Sequence, residues 1–411
     1  MQTLFINIKE LLQTREGFIP FVSGDAMNFL PTIKNAYLLI DGYRIEAFGS
    51  MKECPSQSSR QVIDASGKMI LPAWCDSHTH LVYAGNREGE FKDRIKGMKY
   101  EEIAEKGGGI LNSAKTLQAI SEDSLYEESK VRLEEVMQMG TGAIEIKSGY
   151  GLTPEAELKM LRVIKRLQHN YPIFIRATFL AAHALPHEFK NNKALFLKQM
   201  LDQVLPIIEK ENLATAIDVF CEEGYFSLKD TAKILKRGQE YGLIPKIHVN
   251  QFNALGGVPL GVQFNARSVD HLECITDEDL NALKGTKTIA VALPGCSFFL
   301  EIPYTPARKL ISHGLPLALA TDFNPGSAPS GNMNFILSLA CIKMKMTPEE
   351  AINAATINGA YAMNMQEEVG SIATGKKANL ILTQSISSYT ELPYAFGSNF
   401  IEQVYLNGIP L

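Results

Sequence analysis

Two histidines two positions apart, His78 and His80, follow an apolar run of β type that begins near Leu71. Residues i and i+2 of a strand point to the same side, so both imidazoles can face one point. Imidazole is a common ligand of zinc and iron. Such a pair also occurs without a metal, so on its own it only suggests a metal site.

Three more side chains that could bind a metal stand where later apolar runs end: His248, His271 and Asp322. If these runs are strands of one parallel barrel, their carboxyl ends meet at one mouth. Three of these four histidines with the one carboxylate would hold a single divalent or trivalent ion, zinc or iron, and leave a position for water.

A metal at this mouth would decide the class of reaction. Bound zinc lowers the pKa of water to about 7 and polarises a carbonyl or amidine carbon beside it. We therefore expect hydrolysis of a C–N bond.

Eight apolar β-type runs alternate with helical segments or loops through the middle of the chain, which predicts a parallel sheet. Thr153-Pro154 and Thr347-Pro348 both have the residues that favour the start of a helix. Eight units over roughly 290 residues fit a (β/α)8 TIM-like barrel, and a doubly wound open sheet is the alternative. The runs end near His80, Lys147, His183, Glu222, His248, His271, Pro294 and Asp322.

Both ends of the chain have the pattern of short strands joined by turns. Segments 35–40 and 44–48 flank Asp41-Gly42, which favours a type I′ hairpin. Segments 61–64 and 68–71 form a second pair around residues 65–67. Near the other end, 378–382 and 400–407 are strand candidates.

Composition excludes several classes of protein. The chain has 411 residues, with 40 Lys+Arg against 45 Asp+Glu, and a nucleic-acid binder would usually have a basic surplus. No apolar run of about 18 residues predicts a membrane span, and no signal segment is evident at the start, so we expect a cytoplasmic protein. The six cysteines have no CxxC spacing, and we interpret them as reduced and mostly buried.

Short segments over nearly the whole chain share motifs with one group of enzymes. These are LPAWCDSHTH at 71–80, EIKSGYG at 145–151, FLAAHA at 179–184, KIH at 246–248, DHLE at 270–273, ATDFNPGS at 320–327, and the late 370–372 and 375–380. In these motifs the sequence resembles the amidohydrolase superfamily and, within it, the enzymes that open the ring of 4-imidazolone-5-propanoate in histidine degradation.

The resemblance implies a composite architecture, with a metal-dependent hydrolase barrel at 71–365 and a small β-sandwich domain built from both termini, 1–70 and 366–411. It also implies one metal, held by His78, His80, His248 and Asp322. Binuclear relatives use a carboxylated lysine at the end of the fourth strand, where this chain has no lysine. Lys147 ends the second strand, and we interpret it as a solvated or salt-bridged lysine at the barrel mouth.

Residues that would bind the substrate follow from the same resemblance. Arg87 would hold the propionate carboxylate, because a guanidinium fits a carboxylate with two hydrogen bonds. Tyr150 would bond the polar edge of the substrate, and His183 would contact its ring. Without the resemblance, each has an ordinary interpretation: a surface arginine, a tyrosine packed in a loop and a core histidine.

The loop after Asp322 would also contact the substrate, through Asn324, Gly326 and Ser327, although a plain Pro-Gly turn explains these residues equally well. Gln251 stands where many of the similar enzymes have glutamate. An amide cannot transfer a proton, so Gln251 could bind the ring but not act as an acid or base.

Two candidates then remain for the general base, His271 and Asp322. We prefer His271, whose reference pKa is near neutrality, with Asp322 accepting or relaying the proton. The expected reaction is hydrolysis of a small anionic imidazolone to N-formimidoyl-L-glutamate, by a chain that the resemblance suggests is a homodimer. The alternatives are another cyclic amidohydrolase or a heterocycle deaminase, and a catalytically silent scaffold.

Overall fold

A computed structural model describes residues 2–56, 58, 60–98 and 108–411. Two eight-stranded sheets organise this part of the chain. One is a parallel barrel formed by the middle of the sequence, and the other is a mostly antiparallel sheet to which both termini contribute. The predicted (β/α)8 barrel with a small terminal β domain is therefore confirmed.

The barrel strands lie side by side in sequence order, and each pairs in parallel with the next. They are almost entirely buried, which explains their continuous apolar sequences. The strands are β6 Trp74–Thr79, β7 Thr141–Lys147, β8 Phe174–Ala182, β9 Ala216–Cys221, β10 Ile244–Val249, β11 Ser268–His271, β12 Ile289–Ala292 and β13 Leu317–Leu319.

The ring closes between the end of β13 and β6. Asp322 N donates to His78 O at 3.0 Å, and Thr321 donates through N and Oγ1 to the buried Asp76 carboxylate at 3.0 and 2.6 Å. The last strand stops at Leu319, so Asp322 reaches the mouth from the following loop rather than from the strand itself. The other seven predicted strand ends agree with the structure to within two residues.

Helices surround the barrel and follow the strands. As predicted, Thr153 caps the helix Pro154–Asn170 and Thr347 caps the helix Pro348–Ala355. Thr347 also forms a full capping box with Glu350. The helices are α1 Glu88–Ile95, α2 Ile110–Ala119, α3 Glu122–Gln138, α4 Pro154–Asn170, α5 Lys193–Gln199, α6 Leu205–Glu211, α7 Leu228–Glu240, α8 Gly257–Gln263, α9 Asp277–Leu283, α10 Pro294–Leu300, α11 Ala307–Ser312, α12 Met333–Ile342, α13 Pro348–Ala355, α14 Ile357–Ala362 and α15 Glu391–Tyr394. None of these helices has both the length and the apolar character needed to cross a membrane.

The terminal domain is one continuous sheet that curls over its own apolar face. The rings of Phe5 and Tyr405 meet edge to face at 5.2 Å, although two strands separate β1 from β15 in the sheet. The two layers expected of a sandwich are therefore parts of one sheet. Its strands are β1 Gln2–Leu12, β2 Thr32–Asp41, β3 Arg44–Ser50, β4 Gln61–Asp64, β5 Lys68–Pro72, β14 Leu380–Ser385, β15 Ile401–Leu406 and β16 Ile409–Pro410.

Two local predictions in this domain were wrong. Gly42 and Tyr43 are the central residues of the first hairpin, and only Gly42 has positive φ, at 59°, so the turn is not type I′. The second pair of strands, β4 and β5, do not pair with each other, because both lie parallel to β1.

Candidate metal centre

The four predicted ligands converge at the carboxyl end of the barrel. His248 Nε2 lies 3.4 Å from His80 Nε2, and Asp322 Oδ1 lies 3.6 Å from His78 Nε2 and 3.7 Å from His80 Nε2. All four side chains are buried. Residues that are separated by more than 240 positions in the sequence therefore present nitrogen and oxygen atoms to one small volume.

The donor atoms fit a single metal ion. Within the described residues, the buried His78 Nε2 atom has no hydrogen-bond partner, which is unusual for a polar atom without access to water. Potential ligand atoms of His78, His80 and Asp322 all lie within 4.8 Å of one another. Burial, together with neighbouring cationic groups, holds the pKa values of His78 and His80 well below their usual range. Both imidazoles are therefore neutral, as ligation requires.

His271 lies beside these ligands at the end of β11. It shares a second potential ligand group with His78 and His248, and its ring centre is 5.5 Å from that of His248. Its backbone has φ of 86°, a conformation that is costly outside glycine. Its Nδ1 lies 3.4 Å from the buried Glu273 carboxylate. Burial opposes its protonation, but Glu273 and Asp322 outweigh that effect and raise the pKa of His271.

Two buried carboxylates beneath the centre orient the ligands, and the sequence analysis missed both. Asp270 Oδ2 lies 2.6 Å from His78 Nδ1, and Asp218 Oδ2 lies 3.0 Å from His248 Nδ1. Carboxylates in these positions fix the tautomer and direction of a metal-binding imidazole. The available signal was that β9 and β11 each carry a single acidic residue in an otherwise uncharged strand.

We expected Lys147 to lie at a solvated barrel mouth, but the structure places it inside the barrel. Its side chain has no exposed surface, and Nζ lies 2.6 Å from Glu145 Oε1 and 2.8 Å from Asp218 Oδ2. The expected ion pairing is present, whereas the expected solvation was wrong, because alternate residues of β7 point into the barrel interior.

Comparison with known proteins gives two informative relatives over the full length. A curated imidazolonepropionase of Flavobacterium johnsoniae is 64% identical over 408 residues, 99% of each chain. One of Bacillus cereus is 40% identical over 409 residues, 99% of this chain and 96% of that one. The chain belongs to the imidazolonepropionase family. A model of the amidohydrolase family also matches residues 265–409, so the resemblance to the amidohydrolase superfamily is confirmed.

Solved structures agree in fold. A guanine deaminase from C. acetobutylicum with bound guanine has a TM-score of 0.75 at 15% identity, with all of both chains covered. A mutant atrazine chlorohydrolase from Arthrobacter aurescens, complexed with zinc and atraton, has a TM-score of 0.70 at 14% identity, covering 100% of this chain and 95% of that one. At such identities these structures show the fold alone.

Two residues expected to bind substrate lie against the metal centre of this imidazolonepropionase-family chain. They are Tyr150 and His183. His183 stacks on His80 with ring centres 5.2 Å apart, and Tyr150 meets both rings edge on. His183 Nδ1 donates to Gly149 O at 3.1 Å. Burial and the adjacent His248 lower the pKa of His183 to about 3, so its ring is neutral.

Arg87 lies against the loop that follows Asp322. A Cβ atom on Gly326 would lie 2.0 Å from Arg87 Nη1, so a larger residue there would require the guanidinium to move. The guanidinium is nearly buried, and its Nε donates to Glu90 Oε2 at 2.7 Å. Arg87 and Gly326, predicted separately, are therefore neighbours in one wall of the pocket.

Asn324 and Ser327 hold the same loop together. Asn324 Oδ1 accepts hydrogen bonds from the backbone N–H groups of Gly326 and Ser327, both at 2.8 Å. Asn324 Nδ2 donates to Asp322 O at 2.6 Å, and Ser327 Oγ lies 3.4 Å from Asp322 Oδ2. These bonds fix the loop relative to the metal-binding carboxylate.

Gln251 contacts a buried thiol that the sequence analysis treated only as packing. Its Nε2 lies 3.3 Å from Cys296 Sγ. Burial and the nearby Asp322 and Glu273 carboxylates raise the pKa of the Cys296 thiol well above its usual value. The thiol is therefore neutral and fills the space between the ligand loop and Gln251. All six cysteines are free, and half of them are buried.

His78→Ala should reduce zinc binding by the purified chain to less than about a tenth of an equivalent, because it removes the central nitrogen of the set. Asp322→Ala should do the same. The measurement is metal content by mass spectrometry after dialysis against zinc. His313→Ala, at an exposed histidine outside the site, is the control and should retain about one equivalent. Stoichiometric zinc in His78→Ala would contradict the ligand assignment.

Proposed function

We propose that this chain hydrolyses the ring amide C–N bond of 4-imidazolone-5-propanoate to N-formimidoyl-L-glutamate, at one metal ion held by His78, His80, His248 and Asp322. Family membership supports a hydrolase acting on cyclic amides in histidine degradation. The observation that carries the metal site is the convergence of three imidazoles and one carboxylate around the unpartnered His78 Nε2.

A zinc or iron ion at these ligands would supply a water activated near neutral pH and polarise the ring carbonyl. Nitrogen and carboxylate donors suit both metals, so the donor set is compatible with either. The outer carboxylates Asp218 and Asp270 keep the Nε2 atoms of His248 and His78 directed at the site.

The pocket walls supply the groups that would recognise the substrate. Arg87 would bind the propionate carboxylate, since its guanidinium packs against Gly326 in the loop that follows Asp322. The neutral His183 and the buried Tyr150 would hold the ring against the ligands. Further polar contacts would come from Asn324, Gly326, Ser327 and the Gln251 amide.

Hydrolysis needs one proton removed from water and one given to the ring nitrogen that leaves. His271 is placed to accept the first, because Glu273 holds its Nδ1 and leaves the other ring nitrogen for the site. Water then adds to the carbonyl carbon, the C–N bond breaks and the nitrogen takes up the proton. Asp322 lies close enough to the ligands to relay it. A homodimer and a cytoplasmic location stay predictions.

The purified chain loaded with metal should consume 4-imidazolone-5-propanoate, seen as loss of the imidazolone absorbance with formation of N-formimidoyl-L-glutamate. Removal of metal with a chelator should abolish the loss, and zinc or iron should restore it. Less than about a tenth of an equivalent of metal, with no recovery after either is added, would indicate a silent scaffold instead.

Arg87→Ala should raise KM for this substrate about 10- to 100-fold, the effect expected for a hydrogen-bonded charge pair. Arg94→Ala is the matched control, since Arg94 lies on α1, the helix that begins after Arg87, and packs on Phe299 instead. An imidazolone without the propionate should be hydrolysed equally by the wild type and Arg87→Ala. A KM unchanged in Arg87→Ala would contradict the assignment of Arg87 to the propionate carboxylate.

His271→Ala should lower kcat about 10²- to 10⁴-fold, the range expected for loss of a general base, and should keep its metal. Single-turnover rates and metal content are measured on the same sample. Loss of metal from His271→Ala would make His271 a ligand, and a wild-type kcat would remove it from the proton transfer.

A further inference from the structure

Two lysines are fully buried in the barrel, and they have different surroundings. Lys147 ends β7 and Lys246 lies on β10, and neither has a residue exposure above 1%. Both ammonium groups pair with the carboxylate of Glu145, which lies between them. Only Lys147 also reaches the carboxylates that contact the metal-site histidines.

Lys147 Nζ lies beside two carboxylates, and each of them also lies beside the Nδ1 atom of a metal-site histidine. Asp218 Oδ2 lies 2.8 Å from Lys147 Nζ and 3.0 Å from His248 Nδ1. Asp270 Oδ2 lies 3.6 Å from Lys147 Nζ and 2.6 Å from His78 Nδ1. In each case one carboxylate oxygen bridges the ammonium and an imidazole, so a single cation lies beneath two of the ligands.

We propose that Lys147 is a positioning residue for the metal centre. It holds the Asp218 and Asp270 carboxylates beside the Nδ1 atoms of His248 and His78, which leaves both Nε2 atoms for the ion. This inference rests on the proposed metal site. It adds a residue that touches neither metal nor substrate and acts on the ligands through two carboxylates.

Electrostatics explains why the ammonium is needed. Asp218 and Asp270 are fully buried, and like charges on the two sides of Nζ repel strongly at low dielectric. Other hydrogen bonds position only part of each carboxylate: Asp218 Oδ1 accepts from Val219 N at 2.7 Å, and Asp270 Oδ1 accepts from Ser268 Oγ at 2.5 Å. Without the ammonium, the Oδ2 atoms that face the histidines lose their shared counter-charge.

Lys246 offers a matched control in the same network. Its ammonium lies near Glu145 and, at 3.4 Å each, near the carbonyl oxygens of Ser77 and Ala362. Among the described residues it forms no ion pair with Asp218 or Asp270. Replacing Lys246 therefore removes a second buried ammonium from this network and leaves the contacts of Asp218 and Asp270 in place.

The test compares two double variants that have the same net charge, Glu145→Gln/Lys147→Met and Glu145→Gln/Lys246→Met. Each loses one buried carboxylate and one buried ammonium, and they differ only in which lysine stays. Zinc affinity is measured on metal-free protein by competition with a chromophoric chelator, and circular dichroism and Tm establish folding. Loss of Lys147 should weaken zinc binding about 10- to 100-fold, whereas loss of Lys246 should change it by less than about threefold.

The outcomes separate this proposal from the proposed function. A wild type that binds no zinc overturns the metal site itself. A wild type that binds zinc, with equal affinity in both folded double variants, overturns the role of Lys147 and leaves the metal site standing. If Glu145→Gln/Lys147→Met does not fold, Lys147→Gln is measured instead, and zinc affinity within about threefold of wild type overturns the proposal.

Discussion

Two imidazoles can bind one metal ion only when both are neutral and each directs an unprotonated ring nitrogen to it. In this chain, buried carboxylates lie beside the Nδ1 atoms of His78 and His248, at 2.6 and 3.0 Å, and leave their Nε2 atoms to face the site. The parallel order of the barrel makes this arrangement possible, because neighbouring strands bring residues of similar height together. The metal centre is therefore a property of the barrel interior as much as of its mouth.

The convergence of these histidines could be predicted from the sequence because each follows an apolar run, and the carboxyl ends of parallel strands meet at one edge. The carboxylates could not be found in this way. An acidic residue within a buried strand becomes meaningful only when its neighbours across the barrel are known, and those come from β6, β7 and β10. Lys147 was misjudged for the same reason, since a lysine is usually exposed unless an anion is buried with it.

In the terminal domain, composition predicted strands but not their partners. β1 pairs with β2, β4 and β5, which come from different parts of the first 72 residues, and local turn signals cannot encode such pairings. Segments 61–64 and 68–71 looked like two arms of a hairpin because turn residues separate them. The structure instead places both along one edge of β1, where each covers a different half of that long strand.

The glutamine at 251 is consistent with the crowding of anions around it. Asp322 and Glu273 are already buried near Cys296, the thiol that the Gln251 amide contacts, and burial raises the pKa of Asp322. A third carboxylate at position 251 would add like charge in a region with little water, whereas an amide adds none and donates a hydrogen bond. An amide at 251 cannot transfer a proton, and His271 and Asp322, the two residues to which we assign that role, both have positive φ. Backbone strain of this kind is typical of functional sites, and here it occurs at the two residues proposed to move the proton.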